Sequence, residues 1–193
     1  MNSYLRQFSF HKVIIIMLFS FCSACSQLPP IKPVDRVDLS KFMGDWYVIA
    51  AIPTAIERDP YNAIESYQLN ADGSIATTFS YHQGSADGPL KIYHPMGFVT
   101  PNTQNAVWGM QFIWPIKAEY IIAHLDADYQ TTIIARNKRD YVWLMARQPT
   151  LSDADYQALV QKIAEMGYDT KQLLKIPQTN IKTTLPTVCN CTT

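Results

Sequence analysis

The chain has 193 residues, no net charge at neutral pH, 48% hydrophobic residues and 12% aromatics, among them 11 tyrosines and 4 tryptophans. That is enough apolar material for one core of ordinary domain size. Balanced charge excludes the broad positive field that nucleic-acid binding needs, and the wealth of tyrosine and tryptophan favours strands over helices.

Taken in chain order, the first element is not part of a fold. Arg6, His11 and Lys12 form a basic head, Val13 to Phe21 is an apolar run, and the small residues Ser23 and Ala24 follow. This is the pattern of an export signal. A run this short cannot cross a bilayer, which takes about 20 helical residues. Small residues at 23 and 24 followed by Cys25 resemble the lipobox of bacterial lipoproteins, although Cys22 stands where that motif usually has leucine. The resemblance implies cleavage after Ala24 and acylation of Cys25, and Ser26 in place of an aspartate implies the outer membrane. An ordinary secretory signal is the alternative. With Cys25 acylated, Cys189 and Cys191 remain, both in the tail, and no cysteine lies between them and Cys25, so no disulfide can staple the barrel. Two thiolates alone fall short of a closed zinc site.

Residues 25–38 read as a lipidated tether. Pro29, Pro30 and Pro33 favour an extended polyproline conformation that lifts a domain off a surface. Asp38 to Met43 reads as a short helical turn. From Trp46 to Arg147 short β-runs alternate with turns, with strands expected near 46–52, 63–69, 74–82, 90–99, 106–113, 119–125, 129–136 and 141–147. Asn70-Ala71-Asp72-Gly73, Asp126-Ala127-Asp128 and Asn137-Lys138-Arg139-Asp140 supply hairpin chemistry. Eight antiparallel strands with mostly short loops give an all-β, up-and-down barrel, in which closure removes exposed edges. A two-sheet sandwich is the structural alternative. One helix follows: Ser152 is its N-cap, Asp155 gives a weaker capping box, and Leu151 with Tyr156 forms the staple. Tyr156, Leu159, Val160 and Ile163 make one apolar face before Gly167 ends it. Leu173 to Ile176 reads as a last short strand, and residues 177–193 as a disordered tail.

Three segments carry a family resemblance. Gly44-Asp45-Trp46-Tyr47 resembles the lipocalin Gly-x-Trp motif. Leu125-Asp126-Ala127-Asp128-Tyr129 resembles that family's Thr-Asp-x-x-Tyr turn, with leucine for threonine. Tyr141-Val142-Trp143-Leu144-Met145-Ala146-Arg147, with the helix behind it, resembles the third lipocalin signature. The resemblance spans residues 39–176 and is closest to bacterial outer-membrane lipoprotein lipocalins. It implies an eight-stranded barrel with one C-terminal helix packed outside. Gly44, Trp46, Asp126, Tyr129 and Arg147 are then structural: Trp46 plugs the closed end, and Arg147 lies across its indole face.

Strand alternation gives the candidate cavity walls. Ala106, Trp108, Met110, Phe112 and Trp114 share one face. Ile75, Thr77, Phe79 and Tyr81 share another, as do Glu65, Tyr67 and Leu69. Tyr120, Ile122 and His124 form a fourth group, and Trp143 and Met145 lie on the face of Arg147. From these, Glu65, Tyr67, Phe79, Trp108, Met110, Phe112, Trp114, Tyr120, Ile122 and Trp143 are expected to line a ligand site. Glu65, Trp114 and Tyr120 are placed near the mouth, and Pro53 to Asn62, with Glu57, Arg58 and Asp59, is a candidate lid. Such walls suit a fatty acid or lysophospholipid, chain inward. No Gly-x-Ser-x-Gly elbow, His-Glu-x-x-His pair or barrel thiol is present, so no enzyme activity, metal or cofactor is expected. The alternatives are a haem or tetrapyrrole carrier using His82, His94 or His124, and an envelope scaffold whose barrel is filled by its own side chains. Partners are the lipid ligand and the membrane through the N-terminal anchor, without nucleic acid.

Overall fold

A computed structural model describes residues 28–179. A one-turn helix α1 (Leu39–Phe42) leads into β1 (Gly44–Ile52), followed by β2 (Pro60–Leu69), β3 (Ile75–Gln83), β4 (Leu90–Tyr93), β5 (Met96–Val99), β6 (Val107–Ile113), β7 (Ile116–Leu125), β8 (Thr131–Ala135) and β9 (Val142–Ala146). Helix α2 (Asp153–Glu165), a 3-10 turn (Thr170–Gln172) and β10 (Leu174–Lys175) complete the order. Each strand runs antiparallel to its neighbours, and β9 returns to β1 from Tyr47↔Ala146 to Ile52↔Val142, closing the barrel. The run expected as one strand over 90–99 is split at His94-Pro95 into β4 and β5, which both pair with β3 and act as one broken stave. Proline cannot donate to a ladder, which accounts for the break. The eight staves expected from the sequence are thus present.

Nearly unbroken apolar runs in β8 and β9 have a reason in this layering. Ile134 and Met145 point into the barrel with Trp46, Phe79 and Met110. Ile133 and Leu144 point outward, where Leu159 and Ile163 of α2 cover them with Tyr168. Both faces are buried, so the alternation of polar and apolar residues disappears. The helix starts as expected: the Ser152 hydroxyl accepts from the Asp155 amide at 3.1 Å and donates to its carboxylate at 2.6 Å.

Three segments differ from the sequence reading. The proline-rich stretch is not a free spacer over residues 28–37. Ile31 N–H donates to Asn137 Oδ1 at 2.8 Å, Val34 N–H to the Ile122 carbonyl and Val37 N–H to the Gln104 carbonyl, both at 2.9 Å. Ile31 and Val37 are buried, so apolar residues between the prolines bind the stretch to the barrel wall. At the other terminus, Gln178 donates to the carbonyls of Val48 and Ala63, and the Thr179 amide donates to Asn62. Residues 177–179 therefore belong to the fold, filling the place where the β1–β2 ladder ends at Tyr47↔Ile64. The rest of the expected tail, with Cys189 and Cys191, and the signal segment with Cys25 lie outside the described residues. Third, β7 begins at Ile116, three residues earlier than expected, leaving only Trp114 and Pro115 between it and β6.

Candidate functional site

The two ends of the barrel are built differently. The floor gathers α1 and the β2–β3, β5–β6 and β7–β8 connections, and all five signature residues meet there. Gly44 has φ of +90°, a conformation that turns the chain from α1 into β1 and that side chains disfavour. Trp46 is fully buried and donates from Nε1 to the Phe42 carbonyl at 2.9 Å. The Arg147 guanidinium lies 3.8 Å from the indole and donates to the carbonyls of Lys41, Phe42, Met43 and Asp45. Asp126 accepts from the amides of Gln130 and Thr131, fixing its turn, and the Tyr129 hydroxyl accepts the Asp38 amide at the head of α1.

Above this floor is a cavity of about 300 Å³ that opens at the mouth, where the β1–β2, β3–β4, β6–β7 and β8–β9 connections lie. Six of the ten candidate residues line it: Glu65, Phe79, Met110, Phe112, Tyr120 and Trp143. Tyr67, Trp108 and Ile122 are buried but belong to the packing beneath. Trp108 stacks on Tyr120 at 5.2 Å, Phe42 meets Trp108 and Tyr67 edge-on or tilted, and the hydroxyls of Tyr67 and Tyr120 bond to each other. Trp114 does not line the cavity. It is 81% exposed at the tip of the β6–β7 hairpin.

Two depth assignments are corrected. The registers Trp46↔Glu65 and Glu65↔Phe79 put Glu65 level with the floor tryptophan. Tyr120 pairs with Trp108, so it too lies deep, a consequence of the early start of β7. A third expectation fails at a bulge between Ile122 and His124. It reverses the parity of β7: Leu125 joins the inner core, and His124 is half-buried on the helix side, near Lys162. Leu69, expected beside Tyr67, is exposed where β2 ends.

Residues that parity did not reveal complete the site. The 53–59 loop folds inward, and Glu57 is buried, accepting from Trp143 Nε1 at 2.9 Å and from the Thr54 amide at 2.6 Å. The Tyr81 hydroxyl donates to the Ile56 carbonyl, holding the loop from below. Glu119, Arg136 and Tyr141 close the rim. Arg136 is the single cation among the lining residues; its Nη1 lies 3.4 Å from Asp140, and its buried Nε has no partner. At the base, burial pushes the Glu65 carboxyl up to about 8; the Tyr67 hydroxyl pulls the other way, and the Glu57 charge adds to the rise. Glu65 is therefore neutral at pH 7, and the cavity floor carries no full charge. Burial also raises Tyr67 and Tyr120 well above the usual tyrosine range. Their hydroxyls stay protonated. The arrangement is an apolar well with a neutral carboxyl at the bottom and, toward the rim, one cation, Arg136, beside the carboxylates of Glu57 and Glu119.

The description of a lipocalin-like domain matches residues 37–178. The chain is 29% identical over 158 residues to temperature-induced lipocalin-1 of Arabidopsis thaliana, covering 76% of this chain and 82% of that protein. It is 27% identical over 158 residues to the outer membrane lipoprotein Blc of Citrobacter freundii, covering 80% and 89%. Among solved structures, insecticyanin from the tobacco hornworm Manduca sexta superposes with a TM-score of 0.62 at 15% identity, over 79% of this chain and 86% of that one.

Proposed function

The chain belongs to the lipocalin family, and from that premise we propose that it is a lipid-anchored envelope lipocalin that binds single-chain lipids, a fatty acid or a lysophospholipid, without chemical conversion. The observation that carries this reading is the apolar well with Arg136 at its rim. Its volume of about 300 Å³ sits at the small end of ligand pockets, which span about 300–1,000 Å³. That favours one acyl chain over a planar macrocycle. His82 bonds to the Gly88 carbonyl, His94 to Thr78, and His124 faces α2, so none of the described histidines offers an axial ligand inside the well. The open volume also weighs against a barrel that only fills itself.

In this reading the acyl chain descends between Phe79, Met110 and Trp143, where each buried methylene gains about 0.8 kcal/mol. The carboxylate or phosphate stays at the rim against Arg136, whose unpartnered Nε is desolvated and free to donate. Neutral Glu65 below accepts the methyl end without a buried charge. Cys25 carries the anchor, in keeping with the lipoprotein lipocalin of Citrobacter freundii, and holds the protein at the outer membrane for lipid storage or transport in membrane maintenance.

Titration with a fluorescent palmitate analogue tests this. Met110→Arg should abolish binding while near-UV circular dichroism reports an intact barrel. Arg136→Gln should weaken the fatty acid by about ten-fold, the worth of one charged hydrogen bond, and leave an alkanol of equal length unaffected. Equal affinity in wild type and a folded Met110→Arg chain would remove the cavity from the account.

A further inference from the structure

The β6–β7 hairpin is unlike the rest of the surface. Phe112 is 50% exposed, Ile113 73%, Trp114 81% and Ile116 69%, with Pro115 between the last two. Five successive apolar residues thus stand in water at one tip, and Ile56, Leu90 and Ile92 are further exposed apolar residues at the mouth end. A soluble monomer rarely leaves such a patch uncovered.

The course of the amino-terminal segment says what covers it. Pro29 accepts from Arg139 and Ile31 donates to Asn137, both in the β8–β9 connection at the mouth. Val34 then bonds to Ile122 midway down β7, and Val37 to Gln104 in the floor connection between β5 and β6. The segment therefore leaves the barrel at the mouth, opposite the signature cluster. Asn137 also binds both carboxylate oxygens of Glu119 at 2.7 Å, and Glu119 is three residues from Ile116 on the same strand. The point of departure and the apolar tip are neighbours. Cys25 is three positions before Leu28, a reach of about 10 Å at most.

We infer that the barrel docks mouth-down on a phospholipid bilayer, with the Phe112–Ile116 tip sunk into the interface beside the amino-terminal anchor point. The orientation rests on the reading of Cys25 as the acylated residue; the tip's affinity for lipid does not. A tryptophan at the end of an apolar hairpin is the composition of an interfacial anchor, indole at headgroup depth and aliphatic neighbours below it, while Lys117 lies over the Phe98 ring on the barrel wall. Phe112 belongs to both the tip and the cavity wall, so a lipid chain can pass from bilayer to well along continuous apolar surface. A thin hairpin inserted in this way also keeps the mouth out of bulk water.

Vesicles of phosphatidylethanolamine and phosphatidylglycerol with brominated acyl chains test the docking, using the Cys25→Ser chain from residue 25 onward so that neither the apolar signal run nor an acyl anchor contributes. Trp46 and Trp108 are buried and Trp143 lines the well, so, with the well first filled by unbrominated palmitate, bromine should quench Trp114, and Trp114→Phe should remove the quenching. Ile113→Ser, Trp114→Ser and Ile116→Ser combined should lower vesicle affinity by about a hundred-fold with an unchanged melting temperature, since these side chains are exposed. Absence of quenching together with release of Cys25→Ser from cell membranes would sustain the anchor and overturn the docking. Quenching by the Cys25→Ser chain, with no acyl group on Cys25 of the native protein by mass spectrometry, would sustain the docking and overturn the anchor. A stable dimer, indifferent to vesicles and dissociated by the triple substitution, would assign the tip to a second copy and overturn the docking too.

Discussion

The floor and the mouth of this barrel are made from the same residue types, yet they differ in every physical respect. At the floor, Trp46, Phe42, Trp108 and Tyr67 pack ring against ring, and Arg147 satisfies four carbonyls at the end of α1. At the mouth, apolar side chains meet solvent, a carboxylate folds inward on a loop, and a guanidinium nitrogen lacks a partner. The contrast teaches that aromatic content alone does not locate a binding site. Aromatics with saturated polar neighbours give rigidity; those beside unsatisfied polar atoms and empty volume give a place for a ligand.

Substitutions at the two ends sharpen this contrast. Trp46→Ala should have the largest effect, about 3–5 kcal/mol of lost stability by denaturant unfolding, with ligand affinity of the remaining folded protein unchanged; a selective loss of binding would erase the division. Arg147→Gln should cost about 2–3 kcal/mol, from weaker donation to the α1 carbonyls and the lost contact with the indole. Glu65→Gln should move in the opposite direction. The folded carboxyl titrates at about 8 against an ordinary value of 4.5, so between those values the folded chain holds a proton that the unfolded chain has released. Wild-type stability must then fall as pH rises from about 4.5 through 8. Glu65→Gln should flatten that slope and gain up to about 4 kcal/mol at pH 8, while matching wild type at pH 4. A wild-type profile that rises across this window would show that Glu65 is ionised and partnered.

The floor was legible in the sequence because its residues are fixed by local motifs. Gly44 has to take a positive φ, Trp46 follows two positions later on the inward face, and Asp126 caps its own turn. The cavity was only partly legible, for reasons that pattern reading cannot see. Alternation sorts Glu65, Phe79, Met110 and Trp143 to the inside but gives no depth, and the start of β7 at Ile116 carried Tyr120 downward. One bulge next to Ile122 turned His124 outward while leaving Tyr120 in place. Glu57 lies on a loop, which parity does not describe, and Arg136 was expected at the end of a strand (129–136) to which alternation assigned no inward face; β8 stops one residue short of it. The spacing of Ile31, Val34 and Val37, one every three residues, was the available sign that the proline-rich stretch packs.

That packing has a consequence for the order in which the protein comes into being. Gly167, with φ of +89°, leaves the space that Leu28 occupies; a methyl group there would approach Leu28 to 2.7 Å. Pro29 waits for Arg139, and β1 for β9. The first part of the fold to be synthesised thus has its partners near the last. Pairings so distant in sequence are slow to form, and Leu28 has no seat until Gly167, just past α2, is in place. Until β9 arrives, β1 is held by β2 along one edge alone, and its other edge stays open.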